Sequence, residues 1–150
     1  MKKMVMPNDV LLPAVGEIVA EGGSVTLRTK GMSMMPFIIG DRDCVLLVRP
    51  DTLKVGDIVL ARVSNGSFVL HRIFEIDGGS LVLMGDGNLA GKERCDRSDV
   101  LAHAVTIIKE NGREIDCTSP GHLRLARIWR LLMPLRRYLL AVYRRIIKLQ

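Results

Sequence analysis

Between Ser24 and Asp116 the chain is a series of short apolar or alternating runs, Ser24–Lys30, Asp43–Val48, Asp57–Val63, Ser67–Ile73, Ser80–Met84, Val100–Lys109 and Arg113–Asp116. Turn formers punctuate them: Asn65-Gly66, Asp77-Gly78-Gly79, Gly85-Asp86-Gly87-Asn88 and Asn111-Gly112. Alternation suits strands with one buried face, and Asn-Gly or Gly-Gly steps supply the positive φ angles of tight hairpin turns. This texture predicts a mainly β domain of antiparallel hairpins, partly coiled into a barrel.

Helical texture flanks it on both sides. Val10, Leu11, Ala14, Val15, Ile18 and Val19 recur at helical spacing after a capping Asn8, and Gly22-Gly23 ends the pattern. Leu123–Leu149 is helical again, with Pro134 marking a kink or a joint between two helices. Most of its arginines gather in one arc, and Leu125, Ile128, Trp129, Leu132, Leu135, Leu139, Val142, Ile146 and Ile147 fill the other. A chain of 150 residues can bury a core of its own without disulfides or metal. The division expected is an N-terminal helix (1–23), a β domain (24–116) and a basic amphipathic helical tail (117–150).

Charge is distributed unevenly. The formal net charge is +6, yet no acidic residue follows Asp116, while eight cations do, from Arg124 to Lys148. The first 116 residues keep fourteen Lys and Arg against sixteen Asp and Glu, so the basic character belongs to the tail. Cys44, Cys95 and Cys117 are odd in number and form no Cys-x-x-Cys pair, which argues against a disulfide framework or a zinc site and for a reducing compartment. No cofactor motif is present. Lys2 and Lys3 imitate the start of a signal peptide, but Asn8 and Asp9 interrupt it and the run Val10–Val15 is too short. No stretch approaches the roughly 18 uninterrupted apolar residues of a membrane span. The expectation is a cytoplasmic protein, peripheral to the inner face of the cell membrane.

Three residues invite chemistry. Ser33 sits in Gly31-Met32-Ser33-Met34-Met35-Pro36, where Gly31 permits an unusual backbone and Pro36 stiffens the exit. Such a turn can expose a hydroxyl and aim the backbone N–H groups of Gly31, Met32 and Ser33 at an oxyanion. His71, in Val69-Leu70-His71-Arg72-Ile73, shares a strand face with Val69 and Ile73. A histidine there is ordinarily a core group, and its alternative is a base able to take a serine proton. Asp86 would on its own be a plain turn aspartate, and otherwise the group that orients the histidine.

In order, Gly31-Met32-Ser33-Met34-Met35-Pro36, Gly40-Asp41, Val55-Gly56-Asp57-Ile58-Val59, His71-Arg72, Gly85-Asp86-Gly87-Asn88 and Asp99-Val100-Leu101-Ala102 resemble the type I signal peptidase and LexA-like serine peptidase superfamily over roughly residues 24–108. The His-Arg dipeptide is similar to that of the archaeal and endoplasmic-reticulum signal peptidases, whereas Gly31-Met32-Ser33-Met34 is closer to the LexA-type serine motif. The resemblance implies a LexA/signal-peptidase-like antiparallel β domain and a Ser33–His71 endopeptidase with Asp86 in support. It also implies a substrate bound as an added strand, with small side chains beside the cut. Histidine-bearing relatives carry a further acid just after the Gly-Asp-x-Asn turn; here Glu93 and Asp96 are the residues that could fill that place.

The leading expectation is therefore a serine endopeptidase acting on a peptide or protein, with leader processing near a membrane as its setting. Two others stand beside it: a non-catalytic peptide-binding module that keeps the groove, and a LexA-like self-cleaving regulator. For the tail, an anionic membrane surface along Leu123–Leu149 is the first partner expected, packing on the β domain or on another protein the second, and nucleic acid the least.

Overall fold

The computed structural model describes residues 8–148; Lys2, Lys3 and Leu149, named above, lie outside them. Helix α1 (Asn8–Ala20) is followed by strands β1 (Val25–Arg28), β2 (Cys44–Val48), β3 (Ile58–Arg62), β4 (Phe68–Asp77), β5 (Ser80–Met84), β6 (Glu93–Asp96), β7 (Val100–Ile108) and β8 (Glu114–Asp116), and then by helices α2 (Pro120–Leu131) and α3 (Arg136–Lys148).

The strands form one curled antiparallel sheet in the order β1-β2-β7-β3-β4-β5-β6. Strand β7 is long enough to serve two partners along one edge: Val100–Ala104 pairs with β3 and Thr106–Ile108 with β8. The turns read from the sequence close the hairpins β3–β4, β4–β5 and β7–β8. The sheet differs from the expectation in β6. Glu-Arg-Cys-Asp carries no strand signature of its own, and the edge of the sheet recruits it through Leu81↔Cys95 and Leu83↔Glu93. Only Cys95 of the four is buried, as an edge strand allows.

Alternation divides the core. On β4, Phe68 and Leu70 face a cluster built from Leu12, Val15 and Val19 of α1 with Val45, Leu47, Ile58 and Leu60 of the sheet. Val69 and Ile73 face the opposite way, into a cluster with Val59, Ala61, Leu81 and Leu83. Helix α1 ends where Gly22 and Gly23 donate to Val19 and Ile18 (3.0 Å each), which satisfies two end carbonyls.

The tail folds back as two helices joined at 133–135, the joint falling at Pro134. Ser119 caps α2, accepting from the His122 N–H at 3.2 Å, and Pro120 opens its first turn. Trp129, Leu140 and Ile147 pack with Met35 and Ile39 from the segment that carries Ser33. Each such aliphatic side chain stabilises by about 1.5–3 kcal/mol when fully buried. One face of the basic tail is thus core.

Candidate active site

The chain leaves the edge strand β1 at Arg28 and turns through 31–37 before re-entering the sheet at β2. Gly31 holds a φ of +75°, a region closed to most side chains. The turn is pinned from inside by Met34, Met35 and Ile38, all buried, while Met32 stays 47% exposed and Ser33 is half-buried. Apolar anchors on both sides of a polar residue therefore present Ser33 at the surface of the core. Among the described residues, the N–H groups of Met32, Ser33 and Met34 are taken by no carbonyl, which leaves donors beside the serine hydroxyl.

A second turn supports the first. In Gly85-Asp86-Gly87-Asn88 the Gly87 N–H donates to the Ser33 carbonyl at 2.8 Å and the Asn88 N–H closes the turn on Gly85 at 3.0 Å. A side chain at Gly85 would overlap the Ser33 carbonyl, and one at Gly87 the Met32 carbonyl. The glycines are needed because two backbones meet there.

Ser33 Oγ lies 3.1 Å from His71 Nε2. His71 Nδ1 lies 2.6 Å from Glu93 Oε1. Nδ1 has no well-aligned acceptor among the described residues, while the short distance places the two groups side by side. Sheet register explains the meeting. Ile73, Leu83 and Glu93 are directly opposite one another on β4, β5 and β6, and His71 is two residues from Ile73 on the same face.

Asp86 goes elsewhere, which corrects its expected place beside His71. Its carboxylate receives Arg72 Nε at 2.9 Å and Nη2 at 2.7 Å, both partners buried. Arg72 follows His71 on the strand and so points to the opposite face, and a bidentate guanidinium–carboxylate pair out of water binds more strongly than a neutral ring N–H. Arg72 also donates to the Gly56 carbonyl at 2.8 Å, contacts His122 Nε2 at 3.2 Å and lies over the Phe37 ring at 5.1 Å. Of the two candidates after the turn, Glu93 reaches the histidine. Asp96 turns to the short helical turn that follows it, where its N–H donates to Asp99 Oδ2 at 2.9 Å.

The tail reaches this region in a way that no sequence pattern announced. Trp129 Nε1 donates to the Asp86 carbonyl at 2.7 Å, and Arg136 Nη1 to the Asn88 carbonyl at 2.9 Å. The Gly-Asp-Gly-Asn turn is thus held by Arg72 through its side chain and by α2 and α3 through its backbone.

Burial pulls the His71 pKa below its ordinary 6.5, while the charge and proximity of Glu93 and, more weakly, the charge of Asp86 push it back up. Burial outweighs them, so the ring is neutral at neutral pH. In the tautomer that carries its proton on Nδ1, beside Glu93, Nε2 is free to accept the serine proton. Burial, reinforced by the Arg72 charge, drives His122 down to about 4, so it too is neutral and Nε2 can accept from Arg72.

The chain matches the Peptidase S24-like family over residues 3–110. No curated protein shows significant similarity to it.

Proposed function

From the premise that the chain belongs to the Peptidase S24-like family, we propose that it is a serine endopeptidase in which Ser33 is the nucleophile, His71 the general base and Glu93 the carboxylate that orients His71. The observation that carries this reading is the run of two short contacts, 3.1 Å from Ser33 to His71 and 2.6 Å from His71 to Glu93. Nucleophile, base and orienting acid in series are one arrangement that performs acyl transfer.

In this mechanism Ser33 Oγ attacks the scissile carbonyl carbon as its proton passes to His71 Nε2. The negative charge that develops on the carbonyl oxygen is met by the uncommitted N–H groups of Met32 and Ser33, and the adjacent positive φ of Gly31 sets their direction. The C–N bond then breaks, His71 returns the proton to the departing amine, and Glu93 stabilises the imidazolium in between. Water, activated by the same ring, releases the acyl group from Ser33. A peptide laid as an added strand along the open edge of β1 would run toward the serine turn.

The setting we propose is an anionic membrane surface. Leu125, Ile128 and Leu131 of α2, Leu135 of the joint, and Tyr138 and Val142 of α3 are exposed, and Arg137, Arg144, Arg145 and Lys148 are exposed along the same tail. No described helix is long and apolar enough to cross a membrane.

The test is cleavage of a peptide library by the purified chain, with labelling by a serine-reactive fluorophosphonate. Ser33→Ala and His71→Ala should each lose both activities with their thermal unfolding unchanged. Proteolysis or labelling that survives in either folded variant excludes the mechanism, and a wild-type chain that binds peptides without cutting them makes the domain a binding module.

A further inference from the structure

On the face of β4 that carries Arg72, away from His71, the sheet and α2 enclose a cavity of about 480 Å³. This is within the size range of small-molecule sites, roughly 300–1,000 Å³. Its cationic lining is Lys54, Arg72, Arg124, Arg127, Arg130 and Arg136, and Asp86 is the only carboxylate among the described residues that line it. Asp86 is committed to Arg72, and the other five cations form no ion pair among the described residues.

Arg136 is the independent sign that something is wanted there. It is 3% exposed, its terminal nitrogens reach the carbonyl of Asn88, the more distant carbonyl of Trp129 and the Met84 sulfur, and its buried Nε has no partner. A guanidinium removed from water without an ion-pair partner costs several kcal/mol of solvation, which neutral acceptors, the Trp129 ring 5.2 Å away and the charge of Asp86, itself paired with Arg72, return only in part. Planar guanidinium groups match phosphate oxygens two at a time, and apolar Met84, Leu123 and Ala126 line the rest of the space.

We propose that this cavity binds a phosphate-bearing small ligand, its phosphate held by Arg124, Arg127 and Arg130 at the rim and by Arg136 at depth, with an apolar portion against Leu123 and Met84. The phosphate could belong to a soluble metabolite or to a lipid headgroup. The site is separate from Ser33 and does not depend on the peptidase reading.

The experiment uses the full chain carrying Ser33→Ala, which removes any contribution from turnover. Titration calorimetry at constant ionic strength compares inorganic pyrophosphate with monomeric dioctanoyl phosphatidic acid. Saturable one-to-one binding of either supports the site: pyrophosphate assigns a soluble ligand, and the lipid alone a headgroup. Affinity should fall about tenfold or more in Arg124→Gln/Arg127→Gln, since both side chains are exposed and each charged hydrogen bond lost is worth roughly that factor. Affinity for pyrophosphate should be unchanged in Arg144→Gln/Arg145→Gln, which tests for general attraction of an anion to the basic tail. No saturable binding of either probe at millimolar concentration overturns the proposal, as does equal loss in the two double variants or full affinity in Arg124→Gln/Arg127→Gln.

Discussion

Glu93 and Asp86 lie on opposite sides of β4's histidine–arginine step, and substituting them should produce opposite failures. Glu93→Gln keeps the size of the side chain and removes the charge next to Nδ1 of His71; kcat should fall by roughly 10²–10⁴-fold with little change in Tm. Because Glu93 raises the His71 pKa, losing its charge should also move the acid limb of kcat/KM to lower pH. Asp86→Asn strands Arg72 as a buried unpaired cation and should cost about 3–5 kcal/mol in denaturant unfolding. Comparable stability loss in both variants would contradict this division. His122 adds a pH signature. Its pKa is about 4 when folded and 6.5 when unfolded, so between those values the unfolded chain binds more protons. Stability should therefore fall as pH drops through that window, by on the order of 2–3 kcal/mol, and His122→Gln should flatten that part of the curve. Ser33 and His71 were singled out by the order of the motifs that contain them, since a glycine-flanked turn and a strand-face histidine are each ordinary when taken alone. The partner of His71 was legible only as one of three acids, Asp86, Glu93 and Asp96, because Glu93 joins it through register across β5 and Asp86 lay in the more conspicuous motif.

At the scale of elements, the antiparallel hairpins were legible wherever alternation and turn chemistry coincided, and β6 escaped because Glu-Arg-Cys-Asp is recruited by a neighbour's edge. The two helices after Asp116 were legible as amphipathic segments, and their buried contacts were not. Periodicity tells that a face is apolar and is silent on what covers it. Here the cover is Met35 and Ile39 beneath the serine turn, and the hydrogen bond from Trp129 to the Asp86 carbonyl ties α2 to the neighbouring turn. Trp129→Phe keeps most of the packing and removes that bond. It should lose about 1–2 kcal/mol of stability and lower kcat more than it changes KM, since it loosens the turn whose Gly87 N–H holds the Ser33 carbonyl. A variant with reduced stability and unaltered kcat would show that the tail supports the domain without steadying its chemistry.

For the whole molecule, the decisive feature is that the last two helices have three faces. One packs inward through Trp129, Leu140 and Ile147, a second exposes Leu131, Tyr138 and Val142, and a third carries arginines. An exposed apolar face of this extent is unusual for a soluble monomer. The full chain should float with vesicles rich in phosphatidylglycerol and remain behind with phosphatidylcholine; Leu131→Ser/Val142→Ser should abolish flotation without loss of Tm, because neither side chain is buried. Flotation unchanged in that variant would assign the face to another partner. Charge asymmetry made the basic tail legible from the sequence, whereas its simultaneous attachment to the β domain depends on the three-dimensional path of the chain.

The bonds from Trp129 and Arg136 to the Gly-Asp-Gly-Asn turn also set an order in time. A ribosome delivers Ser33, His71 and Glu93 well before it delivers the two residues that brace the turn beneath the serine. A chain halted between Asp96 and Trp129 holds all three residues and lacks the brace, so the arrangement around Ser33 is completed only late in synthesis, when the basic helices have folded back onto the sheet.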